Sequence, residues 1–256
     1  PVIMISAMDD IDSLVRCIEH GADDYLAKPF DPVLLGARVN ACLEKKHLRD
    51  QEQSLLHRLQ GEQIKVEKLL LNILPERIAD RLKQGENTIV DQFPEATVMF
   101  IDLVGFSPLF DRYQPAEIVH VLNRVFSALD KLSEQHGLEK IKTIGDAYMV
   151  AGGVPAAVPD HAERLARCAL GMMAVVRQFS AESGHSLQLR IGLHRGPAVA
   201  GVIGTTKFAY DLWGETVNTA SRLESSGEPG RIQVSEAFRS GSTDTLAFEP
   251  RGEVVL

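Results

Sequence analysis

Cysteine is scarce in this sequence. Its three copies, Cys17, Cys42 and Cys168, lie far apart in 256 residues and form no CxxC pair, which argues against both a disulfide framework and a zinc ribbon. That usage fits a reducing compartment, and a cytoplasmic location is expected. Long apolar runs are missing too. The stretch 168–176 is about half of the ~20 residues needed to span a bilayer, and no basic-then-apolar signal peptide opens the chain, so a soluble protein is expected. Excess positive charge is the third absence. With 27 Lys plus Arg against 35 Asp plus Glu the formal net charge is -8, which disfavours a surface built to bind nucleic acid or anionic lipid. A phosphate-bearing ligand would need a local device. Neither an internal repeat nor a low-complexity stretch occurs.

What is present, 256 residues of which 45% are hydrophobic, is enough for one to two domains with a real core. The pattern divides into three segments, expected at 1–42, 43–85 and 86–256. In the first, apolar runs at 2–5 and 24–27 alternate with helical stretches at 10–20 and from Asp31, the sign of α/β units around a parallel sheet. Asp10 and Asp31 suit helix starts, and Gly21 suits a helix end. From Val39 to Leu74 there is no Pro and the composition turns to Glu, Lys, Gln, Arg and Leu. Leu48, Leu55 and Leu69 share one heptad position, and Leu59, Val66 and Ile73 share the other, so the spacing alternates four and three. A parallel two-stranded coiled coil is the reading, against the alternative of one amphipathic helix lying on its own domain. Glu52 and Glu62 fall on the same seam and leave the zipper imperfect. Pro75 ends that helix and starts a shorter one, 76–83.

The third segment reads as strand 96–103, helix 115–136, strands 141–144 and 147–150, helix 160–183, strands 187–193, 198–202 and 209–213, and helix 215–224. That order is a ferredoxin-like βαββαβ half-sheet with one face covered by two helices, so the fold class is α/β (α+β). Asp102 stands near the end of an apolar strand, where a buried pattern would not place a carboxylate without a partner. Asp146 follows Gly145 at a hairpin turn. Gly-Asp is a common turn dipeptide, yet two carboxylates at strand tips of one small sheet could share a divalent ion of the hard-oxygen kind. Val104, Gly105, Phe106 and Ser107 turn the strand toward a helix, and backbone N–H groups in such a turn can face phosphate oxygens. Asn218 and Arg222 are one helical turn apart, and Arg suits bidentate phosphate contact.

Two resemblances follow from these residues. Ser6 at one strand end and Lys28-Pro29-Phe30 at the next resemble the C-terminal half of a flavodoxin-like response-regulator receiver domain. In that family the hydroxyl and the Lys touch a phosphorylated Asp on a strand earlier than any in this sequence. The resemblance implies an upstream sensor or histidine kinase. The motifs Phe100-Ile-Asp-Leu-Val-Gly-Phe-Ser107, Lys140-Ile-Lys-Thr-Ile-Gly-Asp-Ala-Tyr-Met149, Arg190-Ile-Gly-Leu-His-Arg-Gly196 and Tyr210-Asp-Leu-Trp-Gly-Glu-Thr-Val-Asn-Thr-Ala-Ser-Arg222 resemble the catalytic domain of class III nucleotide cyclases. Leu69-Leu-Leu-Asn-Ile-Leu-Pro75 looks like the connecting element that precedes this domain in many cyclases.

The second resemblance implies that Asp102 and Asp146 hold two Mg²⁺ or Mn²⁺ ions per active site, for in-line displacement at the α-phosphorus of a nucleoside triphosphate. It implies further that residues 104–107 cradle the triphosphate, that Asn218 orients the ribose and that Arg222 stabilises charge on the α-phosphate. Adenylate cyclases of this type read adenine with a Lys and an Asp at the positions of Lys142 and Asp211, where guanylate cyclases usually carry Glu and a small residue such as Cys. The pair here implies ATP and cyclic AMP. A homodimer is implied, with the metal Asp pair from one protomer and the other groups from its partner. The family's triphosphate-binding Lys follows a segment like 251–256, so the fragment is expected to be cut before it, as its apolar ends at Pro1 and Leu256 also suggest. Guanylate cyclase and a catalytically inactive nucleotide-binding module remain alternatives. A DNA-binding response regulator is disfavoured by the acidic balance and the lack of a helix-turn-helix signal.

Overall fold

The computed structural model describes residues 1–7, 15–16, 18–204, 206–242 and 246–254. It divides into two compact units, 1–70 and 71–256. In the first, β1 (Ile3–Ser6) and β2 (Asp24–Ala27) pair in parallel with Ile3 opposite Asp24. Val15, Arg16, Ile18 and Glu19 between them are helical, while Asp10, the expected start of that helix, and Cys17 lie outside the described residues. The backbone N–H of Lys28 donates to the Ser6 carbonyl at 2.8 Å, so the parallel pair brings the two strand ends together. Helix α1 (Pro32–Leu71) opens where the Asp31 carboxylate accepts from Val33 N at 2.6 Å, an Asp cap of the kind that satisfies a first-turn donor. Arg38, two turns on, ties the helix to β2 through Asp24 at 2.5 Å.

The helical stretch from Asp31 and the one expected from Val39 are therefore one element. No Gly-Pro break separates them, and helix formers carry the turn through the join. Along this helix only Cys42 is buried. Leu48, Leu55, Leu59, Val66 and Leu69, the residues at heptad spacing, are all exposed.

The second unit starts with α2 (Glu76–Lys83), which follows Pro75 and buries Ile78 and Ala79. Then come β3 (Val90–Val104), a 3-10 turn (Ser107–Asp111), α3 (Pro115–Gln135), β4 (Glu139–Ile144), β5 (Ala147–Gly152), α4 (His161–Ser183), β6 (Gln188–Ile203), β7 (Ala209–Trp213), α5 (Glu215–Ser225), β8 (Ile232–Val234) and α6 (Glu236–Ser240). The strands form one sheet in the order β4-β5-β3-β6-β7, with β8 parallel to β6 and the other pairings antiparallel. The expected βαββαβ order is its frame.

Three strand expectations need correction. The strand read as 96–103 begins at Val90 and passes Pro94 through a register shift between Phe93 and Ala96, a bulge that accommodates the missing proline donor. The strands read as 187–193 and 198–202 are one strand, which runs through Gly196 and Pro197. The short β8 and α6 lacked a period long enough to see.

Alternation along β3 sorts the sheet into two faces. Met99, Ile101 and Leu103 join Tyr148, Val150, Leu165 and Met172 in the core beneath α3 and α4. Phe100 and Asp102 face the opposite way, toward α5. That helix lies close because Gly192 has no side chain: a Cβ there would stand 2.2 Å from Glu224 N and 2.5 Å from Ala220 O. Among the described residues, no helix is long and apolar enough to cross a membrane.

Candidate active site

Asp102 lies in a cross-strand row. Ile144 of β4 pairs Ala147 of β5, Ala147 pairs Asp102 of β3, and Asp102 pairs Arg190 of β6. Asp146 immediately precedes Ala147, at the turn that Gly145 makes with φ +63°. The register thus sets Asp102 on β3 and Asp146 in the β4–β5 turn at the same end of the sheet. Asp102 Oδ2 accepts from Arg190 Nη2 at 2.9 Å, and Arg190 Nε donates to Glu224 Oε1 at 2.7 Å. Asp146 enters no ion pair or side-chain hydrogen bond among the described residues.

Those residues contain no cluster of three or more His, Cys, Asp or Glu side chains able to hold a metal. Two carboxylates at one end of the sheet, without His or Cys, suit a hard cation that completes its shell from water and phosphate oxygens, as Mg²⁺ does. The donor set therefore fits the ions that the sequence resemblance implies.

The chain after Asp102 turns where only glycine serves. Gly105 has φ +89°, and a Cβ on it would lie 2.3 Å from the Ser186 carbonyl. Phe106 is buried edge-on to Phe110 and anchors the turn, and Ser107 opens the 3-10 helix. Val104 ends β3. These four residues form a rigid strand-to-helix turn directly beside Asp102.

Lys142 and Asp211, 69 residues apart, meet: Lys142 Nζ donates to Asp211 Oδ2 at 2.5 Å. A bulge in β4 makes this possible, since Lys140 pairs Val150 while Lys142 pairs the next residue, Met149. Strict alternation would have put Lys142 on the face of Lys140, which pairs with Asp130 at 2.7 Å and lies over the Tyr148 ring. Instead Lys142 shares the face of Phe100 and Asp102. Asp211 Oδ1 accepts from Leu212 N at 2.9 Å, which holds the carboxylate in place. The neighbouring Tyr210 hydroxyl is buried without a hydrogen-bond partner among the described residues. Burial pushes the Glu139 carboxyl up to about 7.

Asn218 and Arg222 project from α5 one turn apart, both exposed. The structure thus gathers the candidate residues into three pairs: Asp102 with Asp146, Lys142 with Asp211, and Asn218 with Arg222. Sequence reasoning missed two groups beside the first pair. Arg190 opened a motif that was used only as a resemblance, and Glu224 looked like a helix-end acid. Glu224 is 7% exposed, and burial raises its carboxyl while the Arg190 guanidinium opposes the rise. An acid in the apolar stripe of α5, next to Leu223, was the available signal.

Against known families, the model described as adenylate and guanylate cyclase catalytic domain matches residues 89–256. An adenylate cyclase from Mycobacterium tuberculosis is 46% identical over 197 residues, which cover 77% of this chain and 44% of that protein. The guanylate cyclase soluble subunit beta-2 of Rattus norvegicus is 40% identical over 214 residues, covering 83% of this chain and 31% of that protein. The chain spans less than half the length of these curated relatives. Among solved structures, the adenylyl cyclase CyaB from P. aeruginosa superposes with a TM-score of 0.61 at 27% identity, over 65% of this chain and 89% of that one.

Proposed function

The chain belongs to the adenylate and guanylate cyclase catalytic domain family, and from that premise we propose that it is an adenylate cyclase, converting ATP to 3′,5′-cyclic AMP and pyrophosphate. In the reaction the ribose 3′-oxygen loses its proton and bonds to the α-phosphorus, while the bond from that phosphorus to the leaving pyrophosphate breaks. Two Mg²⁺ or Mn²⁺ ions held by Asp102 and Asp146 would supply Lewis-acid stabilisation of the attacking and leaving oxygens. The remaining work falls to the chain's own groups. The 104–107 turn presents backbone N–H groups to the triphosphate, Asn218 orients the ribose, and Arg222 meets the charge that develops on the α-phosphate.

The observation that carries the choice of ATP is the Lys142–Asp211 pair, a donor and an acceptor held 2.5 Å apart. Adenine offers a ring-nitrogen acceptor and an amino donor, which match Lys142 and Asp211 in that order. Guanine reverses the pattern and would leave both protein groups unsatisfied, at about 1–3 kcal/mol each. The mammalian-type guanylate cyclase relative makes GTP the rival substrate. Exchanging Lys142→Glu together with Asp211→Cys tests the assignment: ATP turnover should fall and GTP turnover rise, and an unchanged preference removes both residues from base reading.

The reading extends to assembly. A homodimer would draw Asp102 and Asp146 from one protomer and Lys142, Asp211, Asn218 and Arg222 from its partner, so that two sites form. The exposed heptad leucines of α1 support a parallel coiled coil that holds the copies together. Ser6 and Lys28 support a receiver-type input ahead of it, served by an upstream sensor or kinase. If replacing Glu52 and Glu62 by Leu leaves activity unchanged, the imperfect seam has no part in transmitting that input.

A further inference from the structure

The Arg190 guanidinium is shared between two acids of different depth. Its Nε donates to Glu224 Oε1 at 2.7 Å, its Nη2 to Asp102 Oδ2 at 2.9 Å, and its Nη1 to the Ser225 carbonyl at 3.4 Å. The Glu224 side chain is 10% exposed, against 22% for Asp102. A guanidinium facing a single carboxylate normally takes both of its oxygens in a fork. Here Glu224 and Ser225 engage the rest of the fork, and Asp102 receives one N–H on one oxygen. Oδ1 of Asp102 accepts no side-chain hydrogen bond among the described residues.

We propose that Glu224 is a positioning residue that sets the cation affinity of Asp102 by holding Arg190 away from a two-oxygen grip on it. The proposal rests on the reading of Asp102 as a metal ligand and adds the two groups that tune it. Charge and geometry act in the same direction. With Glu224 ionised, the trio of Asp102, Arg190 and Glu224 carries one net negative charge. Without it the trio is neutral, and Arg190 is released to close on both oxygens of Asp102, where it competes with a divalent ion. The holding point is rigid, because α5 meets β6 at Gly192 with no room for even one added carbon beside Glu224 N. Arg190 in turn cannot leave without stranding a buried carboxylate. Groups behind a ligand that orient it commonly alter metal affinity by about 10–100-fold.

The test is Mn²⁺ titration of the nucleotide-free protein, with free Mn²⁺ read by electron paramagnetic resonance. Glu224→Gln should raise the Mn²⁺ dissociation constant about tenfold, Glu224→Asp should return most of the loss, and Arg190→Gln should lower the constant below that of the unaltered protein. In the Arg190→Gln background, Glu224→Gln should shift it by no more than about threefold, since the group through which Glu224 acts is gone. Should Glu224→Gln fail to fold, Arg190→Gln carries the test, since loss of the competing guanidinium must tighten Mn²⁺ binding. The proposal is overturned if Asp102→Asn abolishes binding while Glu224→Gln, or Arg190→Gln in its place, leaves the constant unchanged, or if the Glu224→Gln shift is as large without Arg190. Binding that survives Asp102→Asn overturns the metal reading itself and this inference with it.

Discussion

The two faces of the cyclase sheet divide the labour of the domain between neighbouring residues of the same strands. On β3, Met99, Ile101 and Leu103 are sealed beneath α3 and α4, while Asp102 on the other face shares a guanidinium with a second acid. On β4, Lys140 serves the first face and Lys142 the second. The apolar face holds the domain together by burial. The charged face holds acids and bases in a partly dry setting, a cost in stability that catalytic surfaces commonly carry.

The sharpest way to break this contrast is to alter one residue on each face and measure both turnover and stability. Asp102→Ala should lower turnover by about a thousandfold while shifting unfolding free energy by no more than about 1 kcal/mol, as a denaturant melt would read. Ile101→Ala, one residue away, should do the opposite. A cavity in the sealed face costs about 3 kcal/mol of stability, and the molecules that remain folded should keep their rate per site. If Ile101→Ala removed turnover from fully folded protein, the separation of duties between faces would be wrong.

A smaller effect tests the cost of the charged face. Burial holds the Glu139 proton up to about 7, against an ordinary 4.5, so the folded state favours the protonated acid. The stability this group supplies is complete below the ordinary value and is lost as pH rises through about 7. Glu139→Gln should therefore leave stability at pH 4 unchanged and raise it at pH 8 by about 3 kcal/mol. Equal pH profiles for the two proteins would show that Glu139 is solvated.

The sequence made much of the charged face legible and little of its support. Asp102, Asp146, Lys142, Asp211, Asn218 and Arg222 sit in motifs dense enough to be read in order, and the structure pairs them. The bulge that turns Lys142 to its face could not be read, because it is a pairing offset between strands and leaves no Gly or Pro in β4. The long course of β3 and β6 was hidden by Pro94 and Pro197, which usually interrupt a strand and here lie within one. Arg190 and Glu224 are 34 residues apart, and only the close approach of α5 at Gly192 joins them. In the first unit, composition and periodicity gave the long helix. They split one helix in two because Asp31 and Val39 each looked like a beginning.

The most direct test of the central claim is a competition. Equal concentrations of ATP and GTP are supplied with Mn²⁺, and the two cyclic products are separated and counted. Cyclic AMP in clear excess is the predicted result. Cyclic GMP in excess, or neither product, would contradict the assignment of an adenylate cyclase.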